Sequence, residues 1–267
     1  MASHFSSIGL VIDSVDEMLA VAERAAGEAE VLEVEGGRYL VWSSGEGPEL
    51  WLQLDDEDNL IGMAPHYAGR NRWRVALVDE VERNDQTVLD GSFYAWNCPE
   101  GDDPEEGLYP FVFDCPDRSV FGEIDVPLFA SVQLAAFAHG IELWDDVDAY
   151  DEATSDEGDP ERPRLASMSF IPAGLIRSEG EEDPSPPEAF AVISGVVRAS
   201  KEVSNPLSGK PFQWAEIETY GGTLDVVIDR ELLGERAVEP GNVIVGTFWL
   251  SGQIGAESDA DGPRLMS

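Results

Sequence analysis

The chain has 267 residues and carries 54 Asp and Glu against 16 Lys and Arg, a formal net charge of −38 at pH 7 and a pI near 4.1. Hydrophobic residues make up 43% and aromatic residues 9%, enough for a real core, so wholesale disorder is excluded. So negative a surface argues against unassisted binding to nucleic acid or to an anionic membrane, both of which need cationic side chains. It favours a basic protein partner, high solubility or a salty cytoplasm.

The first residues, Met1 to Phe5, include no basic region, and Asp13 and Asp16 break the apolar stretch that follows. No secretory signal is expected there. The apolar run over residues 126–138 is interrupted by Ser131 and Gln133 and is too short to span a bilayer. The expected compartment is the cytoplasm, with no membrane association. Cys98 and Cys115 are each followed by proline at the end of a strand-like run. Two cysteines make no disulfide framework, and reduced buried thiols are preferred over a pair.

In chain order, residues 7–12 read as a short strand. Ser14 with Glu17 forms a capping box for a helix over residues 15–26, with Met18, Leu19, Ala22 and Ala25 on one face and Gly27 closing it. Strands follow at 29–35, 38–43, 49–54 and 59–66, separated by glycine-rich and acidic turns. A long hairpin is expected from 73–81 and 87–96, then strands at 109–114 and 126–138, the last being ambiguous with a helix. Residues 145–161 are dense in Asp and Glu and read as a solvated loop or short polar helix. Strand-like alternation returns at 164–176.

Residues 179–187, acidic and proline-rich, read as a linker. They divide a β-rich α+β region, residues 1–178, from a compact segment at 188–255; residues 256–267 read as a flexible tail. The second segment reads as strands at 190–199, 212–220, 223–229 and 243–250, with a short helix at 230–236. No internal repeat is visible at solenoid periods.

Residues 6–20, Ser6-Ser7-Ile8-Gly9-Leu10-Val11-Ile12 and onward to Ala20, with the strands to His66, resemble a βαβββ module of the glyoxalase/vicinal-oxygen-chelate superfamily. The resemblance implies a cupped sheet holding a divalent metal on His and Glu. Here Ser7 stands at the first ligand position and Gln53 near the third-strand one, so no metal ligand or other cofactor is assigned.

The segment from 188 to 255 resembles an OB-fold through Ser194-Gly195-Val196-Val197, Gly209-Lys210-Pro211-Phe212 and residues 240–246. Four strands are visible where a closed barrel needs five, so one must come from elsewhere. The family's habit of binding single strands on aromatic and basic residues points to Arg198, Lys201, Lys210, Trp214 and Tyr220. Five basic and nine acidic residues give this segment a net −4, against −32 for residues 1–187.

Arg70, Arg72 and Arg74 alternate around Trp73 and share one strand face, where they can clamp an anion or neutralise neighbouring carboxylates. The histidines His4, His66 and His139 are too scattered for a spacing argument. No nucleophile elbow, phosphate loop or dinucleotide fingerprint is present. With no catalytic residue assigned, the leading expectation is a non-catalytic acidic binding or regulatory protein for a basic protein surface. Inhibitors of basic nucleases and mimics of DNA use the same physics. A glyoxalase-type metalloprotein acting on a small molecule and an OB-type strand binder are the alternatives.

Overall fold

The computed structural model describes residues 3–45, 47–84, 86–154, 165–176 and 185–255. The linker expected at 179–187 falls mostly outside them, and the tail expected at 256–267 entirely so. Among the described residues, no helix is long and apolar enough to cross a membrane.

The N-terminal part follows its sequence pattern with one exception. Helix α1 (Val15–Ala26) starts at Ser14, whose hydroxyl accepts from Glu17 N, while the Glu17 carboxylate accepts from Asp13 N at 2.7 Å. Its inner face is Val21, Ala22 and Ala25; Leu19 stays outside. Strands β1 (Glu30–Val34), β2 (Gly37–Ser43), β3 (Gly47–Leu54) and β4 (Leu60–Ala68) then form an antiparallel four-stranded meander.

The exception is residues 7–12. They form no strand: Ser6–Ile8 is a 3₁₀ turn ended by Gly9 at φ 77°. Side chains from the far end of the chain hold this turn, with Asn205 Nδ2 donating to Ile8 O at 2.7 Å and Ser208 Oγ to Gly9 O at 2.6 Å. A Cβ at Gly9 would fall 2.8 Å from Lys210 O, so glycine is required both for backbone sign and for space. Ile8 and Leu10 are buried by tertiary packing instead of pairing.

The rest is a nine-stranded mixed sheet: β5 (Arg72–Glu80), β6 (Ser92–Asn97), β7 (Tyr109–Asp114), β8 (Leu128–Trp144), β9 (Ser169–Ile171), β10 (Phe190–Ser204), β11 (Pro211–Thr219), β12 (Gly222–Asp229) and β13 (Val243–Gly255). A short helix α2 (Val147–Thr154) follows β8, and a single helical turn α3 (Arg230–Leu233) follows β12. The hairpin expected at 73–96 is shorter than its sequence suggests. Residues 87–90 turn instead of pairing, because Asp90 accepts from Thr87 N and from Gln53 Nε2 of β3. Of the run 164–176, only Ser169–Ile171 is strand.

The pairings close two five-strand cycles that share β8 and β13. In one, β5, β6 and β7 form a meander, a 3₁₀ turn (Arg118–Phe121) follows, and β8 returns to pair antiparallel with β5. In the other, β10, β11 and β12 form the meander, α3 follows, and β13 returns to pair with β10. Each long strand also runs parallel beside the third strand of the opposite half, β13 with β7 and β8 with β12. An antiparallel ladder from Ser131↔Gly255 to Trp144↔Val243 joins the two long strands. The same pairing scheme thus occurs twice, a duplication the sequence does not display.

This exchange bears on the division drawn at 179–187. Strands from both sides of it pair within one sheet, and β8, from residues 128–144, pairs with both β12 and β13. It also settles the 126–138 ambiguity. Leu134, Ala136 and Ala138 face the core of the cycles, while Ala135 and Phe137 face the four-stranded sheet with Trp42, Leu50, Leu52 and Tyr67. A strand buried on both faces loses the period-two alternation that identifies it in sequence.

Candidate functional site

The two basic groups singled out from the sequence do not converge on one ligand. Arg72 and Arg74 lie on β5 and are exposed on either side of buried Trp73, as strand alternation requires, but Arg70 precedes the strand. Arg74 Nη1 donates to Pro99 O at 2.8 Å and its guanidinium lies 5.6 Å from the Phe129 ring centre; Arg72 Nη1 donates to Gly69 O at 3.2 Å.

On the other half, Arg198 occupies a bulge of β10 and pairs with Glu218. Lys201 stands opposite Trp214 across β10–β11, its Nζ 5.1 Å from the indole centre. The Trp214 Nε1 donates to Asp225 at 2.9 Å, a carboxylate that is itself buried and also accepts from Asn71. Lys210 is exposed just before β11, whereas Tyr220 lies beyond its other end, 52% exposed and beside Tyr109. Lys201 and Trp214 therefore form the one local cation–aromatic pair of the expected set, and Tyr220 is remote from it along the strand.

Most of the arginines among the described residues have partners within the molecule. Arg38 pairs with Asp58, Arg83 with Asp114, Arg118 with Glu80, Arg230 with Glu202 and Arg236 with Asp145, in addition to Arg198 with Glu218. Arg24 donates to the carbonyls of Ala20 and Leu207. Several of these pairs lie at the surface, where each neutralises one carboxylate and the many others carry the net charge.

A cleft of about 480 Å³ opens where the N-terminal segment, the loop after β5 and strand β13 meet, with His4, Arg83, Asp114, Phe190, Trp249 and Ser251 among its walls. His4 stacks on Trp249 with centroids 4.0 Å apart and planes 2° from parallel, and meets His139 at 4.7 Å. Burial first, then the neighbouring His139, brings the His4 pKa down to about 3, so the stacked ring is neutral. Opposite it, Asp114 accepts from Trp249 Nε1 at 2.6 Å, from Ser92 Oγ at 2.7 Å and from Arg83. That carboxylate is fully engaged.

Behind the cleft lies a buried polar chain that residue spacing did not reveal. His66 Nε2 is 2.7 Å from Gln133 Oε1, and His66 Nδ1 is 2.8 Å from Ser251 Oγ. Burial lowers the His66 pKa, which favours the neutral ring with Nε2–H donating to the amide oxygen and Nδ1 accepting the serine proton. Such a chain has the polarity of an activated hydroxyl. Ser251, however, is wholly buried within β13, at the point where that strand meets Asp114 of β7. Its bond to His66 joins the two sheets. The sequence signal was present in the polar breaks Ser131 and Gln133 of an otherwise apolar run.

The cysteines are both free, Cys115 buried as expected and Cys98 exposed, which corrects the expectation that both thiols are buried. Cys98 sits at φ 47° just past the end of β6, outside the core. Cys115 Sγ donates to Asp117 Oδ1 at 3.1 Å. Burial pushes the thiol well up, and it raises the Asp117 carboxyl to about 7.

Among the described residues, no group of three or more His, Cys, Asp or Glu side chains is placed to hold a metal ion. Ser7, at the position where the glyoxalase resemblance would put a first ligand, donates its hydroxyl to Ala138 O at 3.2 Å. No family model matches the chain, and neither the curated proteins nor the solved structures contain a match to it.

Proposed function

We propose that this chain is an acidic binding protein whose partner is a basic protein surface. The observation that carries the reading is the disposition of charge: a net −38, with most arginines among the described residues taken up by intramolecular ion pairs and carbonyl contacts. A folded surface of one sign raises the encounter rate with an oppositely charged partner and repels wrong ones. The paired strands give that surface a rigid frame, which limits the ordering cost of association.

We also read the second cycle as OB-like. The support is its order, β10-β11-β12-β8-β13, with β12 and β8 parallel and the remaining neighbours antiparallel, α3 lying between the third strand and the next. In this reading β8 is a fifth strand that precedes the other four in the chain. OB-type barrels bind oligonucleotides by stacking and cationic contacts, and Lys201 over Trp214 is the local feature that favours such a ligand. Because Trp214 is bonded to Asp225 and Arg198 to Glu218, the basic protein remains the preferred partner.

The test is a titration of the full chain with a strongly basic globular protein at low ionic strength, repeated with an oligonucleotide single strand. A saturable, salt-sensitive complex with the protein and none with the nucleic acid is expected. The opposite pattern would replace this reading with the strand-binding one.

A further inference from the structure

We infer that the outer edge of β1 is the docking site, and that it accepts an extended, lysine- or arginine-bearing segment of the partner as an added β-strand. The inference rests on the acidic-binding reading and says where that binding occurs.

Strand β1 ends the four-stranded sheet, and all five of its residues pair with β2 alone, from Glu30↔Val41 to Val34↔Gly37. No other backbone hydrogen bond among the described residues reaches Glu30–Val34. Among the described residues the outward N–H and C=O groups of this edge hold no backbone bond, with the 3₁₀ turn at 118–121 packed beside β1.

Its side chains define what that strand must carry. Glu30 projects to one face with Leu32 and Val34, and Glu33 and Glu35 to the other with Val31. Glu30, Glu33 and Glu35 are exposed, and no ion pair or hydrogen bond among the described residues engages their carboxylates. Arg38, directly across from Glu33 on β2, is drawn off by Asp58. Carboxylates on both faces of one edge repel a second copy of the same edge, which is how natural sheets discourage self-pairing. The same carboxylates attract a strand with cations at the facing positions, so charge selects the partner while backbone bonds hold it.

Apolar surface is available beside the charges. Val31 is 55% exposed, and Val120 and Phe121, on the 3₁₀ turn that packs against β1, are 45% and 40% exposed. A strand alternating basic and apolar residues sets its cations on one face, where Glu33 and Glu35 lie, and its apolar side chains on the other, where Leu32 and Val34 lie.

The experiment uses the full chain and a labelled nonapeptide of alternating lysine and valine. A second peptide has the same lysines but a central proline that forbids pairing. The alternating peptide is expected to bind, more weakly as salt rises, and to slow hydrogen exchange at amides within Glu30–Val34. The proline peptide should bind at least about tenfold more weakly. Glu33→Lys with Glu35→Lys, on the face that the lysines meet, should weaken the alternating peptide at least about tenfold. Asp102→Lys with Glu106→Lys, an equal charge change on a distant exposed loop, should leave it within about twofold.

Equal loss from both double variants, exchange protection elsewhere, or self-association through β1 would overturn the docking site while leaving the acidic-binding reading in place. Failure of the unaltered chain to bind either peptide or a basic protein at low ionic strength would remove both.

Discussion

The Nδ1 of His66, on β4, lies 2.8 Å from the Oγ of Ser251, on β13, so two residues 185 positions apart tie the small sheet to the strand shared by both cycles. The opposite ring nitrogen meets Gln133 of β8, the other shared strand. One imidazole thus cross-links the small sheet to both strands on which the large one closes. Replacing it removes the partner of a buried hydroxyl and a buried amide and leaves a void. His66→Ala should cost about 3 kcal/mol, measured by urea unfolding. A double-mutant cycle with Ser251→Ala should return a coupling of about 1 kcal/mol.

Titration of the buried groups sets opposing pH dependences. His66 and His4 have folded pKa values below 6.5, so the unfolded chain takes up protons first as the pH falls. Their contribution is complete above about 6.5 and is lost on the way down towards the folded values, near 3 for His4. Asp117 behaves the other way. Its folded pKa of about 7 exceeds the ordinary carboxyl value of 3.8, so its contribution is present below about 3.8 and is lost as the pH rises towards 7. Asp117→Asn keeps an acceptor for Cys115 Sγ and removes the buried charge. It should raise stability by about 2 kcal/mol at pH 8 and by much less at pH 4, as read from denaturant midpoints.

The thiols offer a check on burial. Cys98 is exposed and Cys115 is enclosed with a raised pKa. A thiol-specific chromogenic reagent should titrate one group in the folded protein and two in denaturant. Two fast-reacting groups in the folded protein would place Cys115 wrongly.

The exchange of long strands predicts how the chain tolerates cutting. A segment starting at Glu188 contains β10 to β13 but lacks β8, whose loss leaves the edge of β12 and one full edge of β13 without a partner. It should show little β-structure by circular dichroism and no cooperative unfolding. Restoring residues 128–144 to the same polypeptide should recover both.

Much of the fold was legible because local rules governed it. The capping pair Ser14 and Glu17, the alternation in Arg38–Ser43 and the boundaries of Tyr109–Asp114 need no distant information. Residues 7–12 misled because Asn205 and Ser208 hold the carbonyls of Ile8 and Gly9, while Ile8 and Leu10 pack in one cluster with Phe212, and such partners leave no periodic trace. The pairing of β8 with β12 joins residues ninety positions apart, which no local pattern encodes. The proposed basic cluster dispersed for a related reason. Spacing puts Arg72 and Arg74 on one face, yet it cannot say which carbonyls and carboxylates already hold them. The polar chain through His66 was hidden because its three members come from three separate strands.

The charge-driven binding reading is tested most directly by calorimetric titration of the full chain with a basic globular protein, at ionic strengths of about 20 mM and about 500 mM. A stoichiometric complex in the dilute buffer that disappears in the concentrated one is the predicted result. No detectable heat or complex at low ionic strength would contradict it.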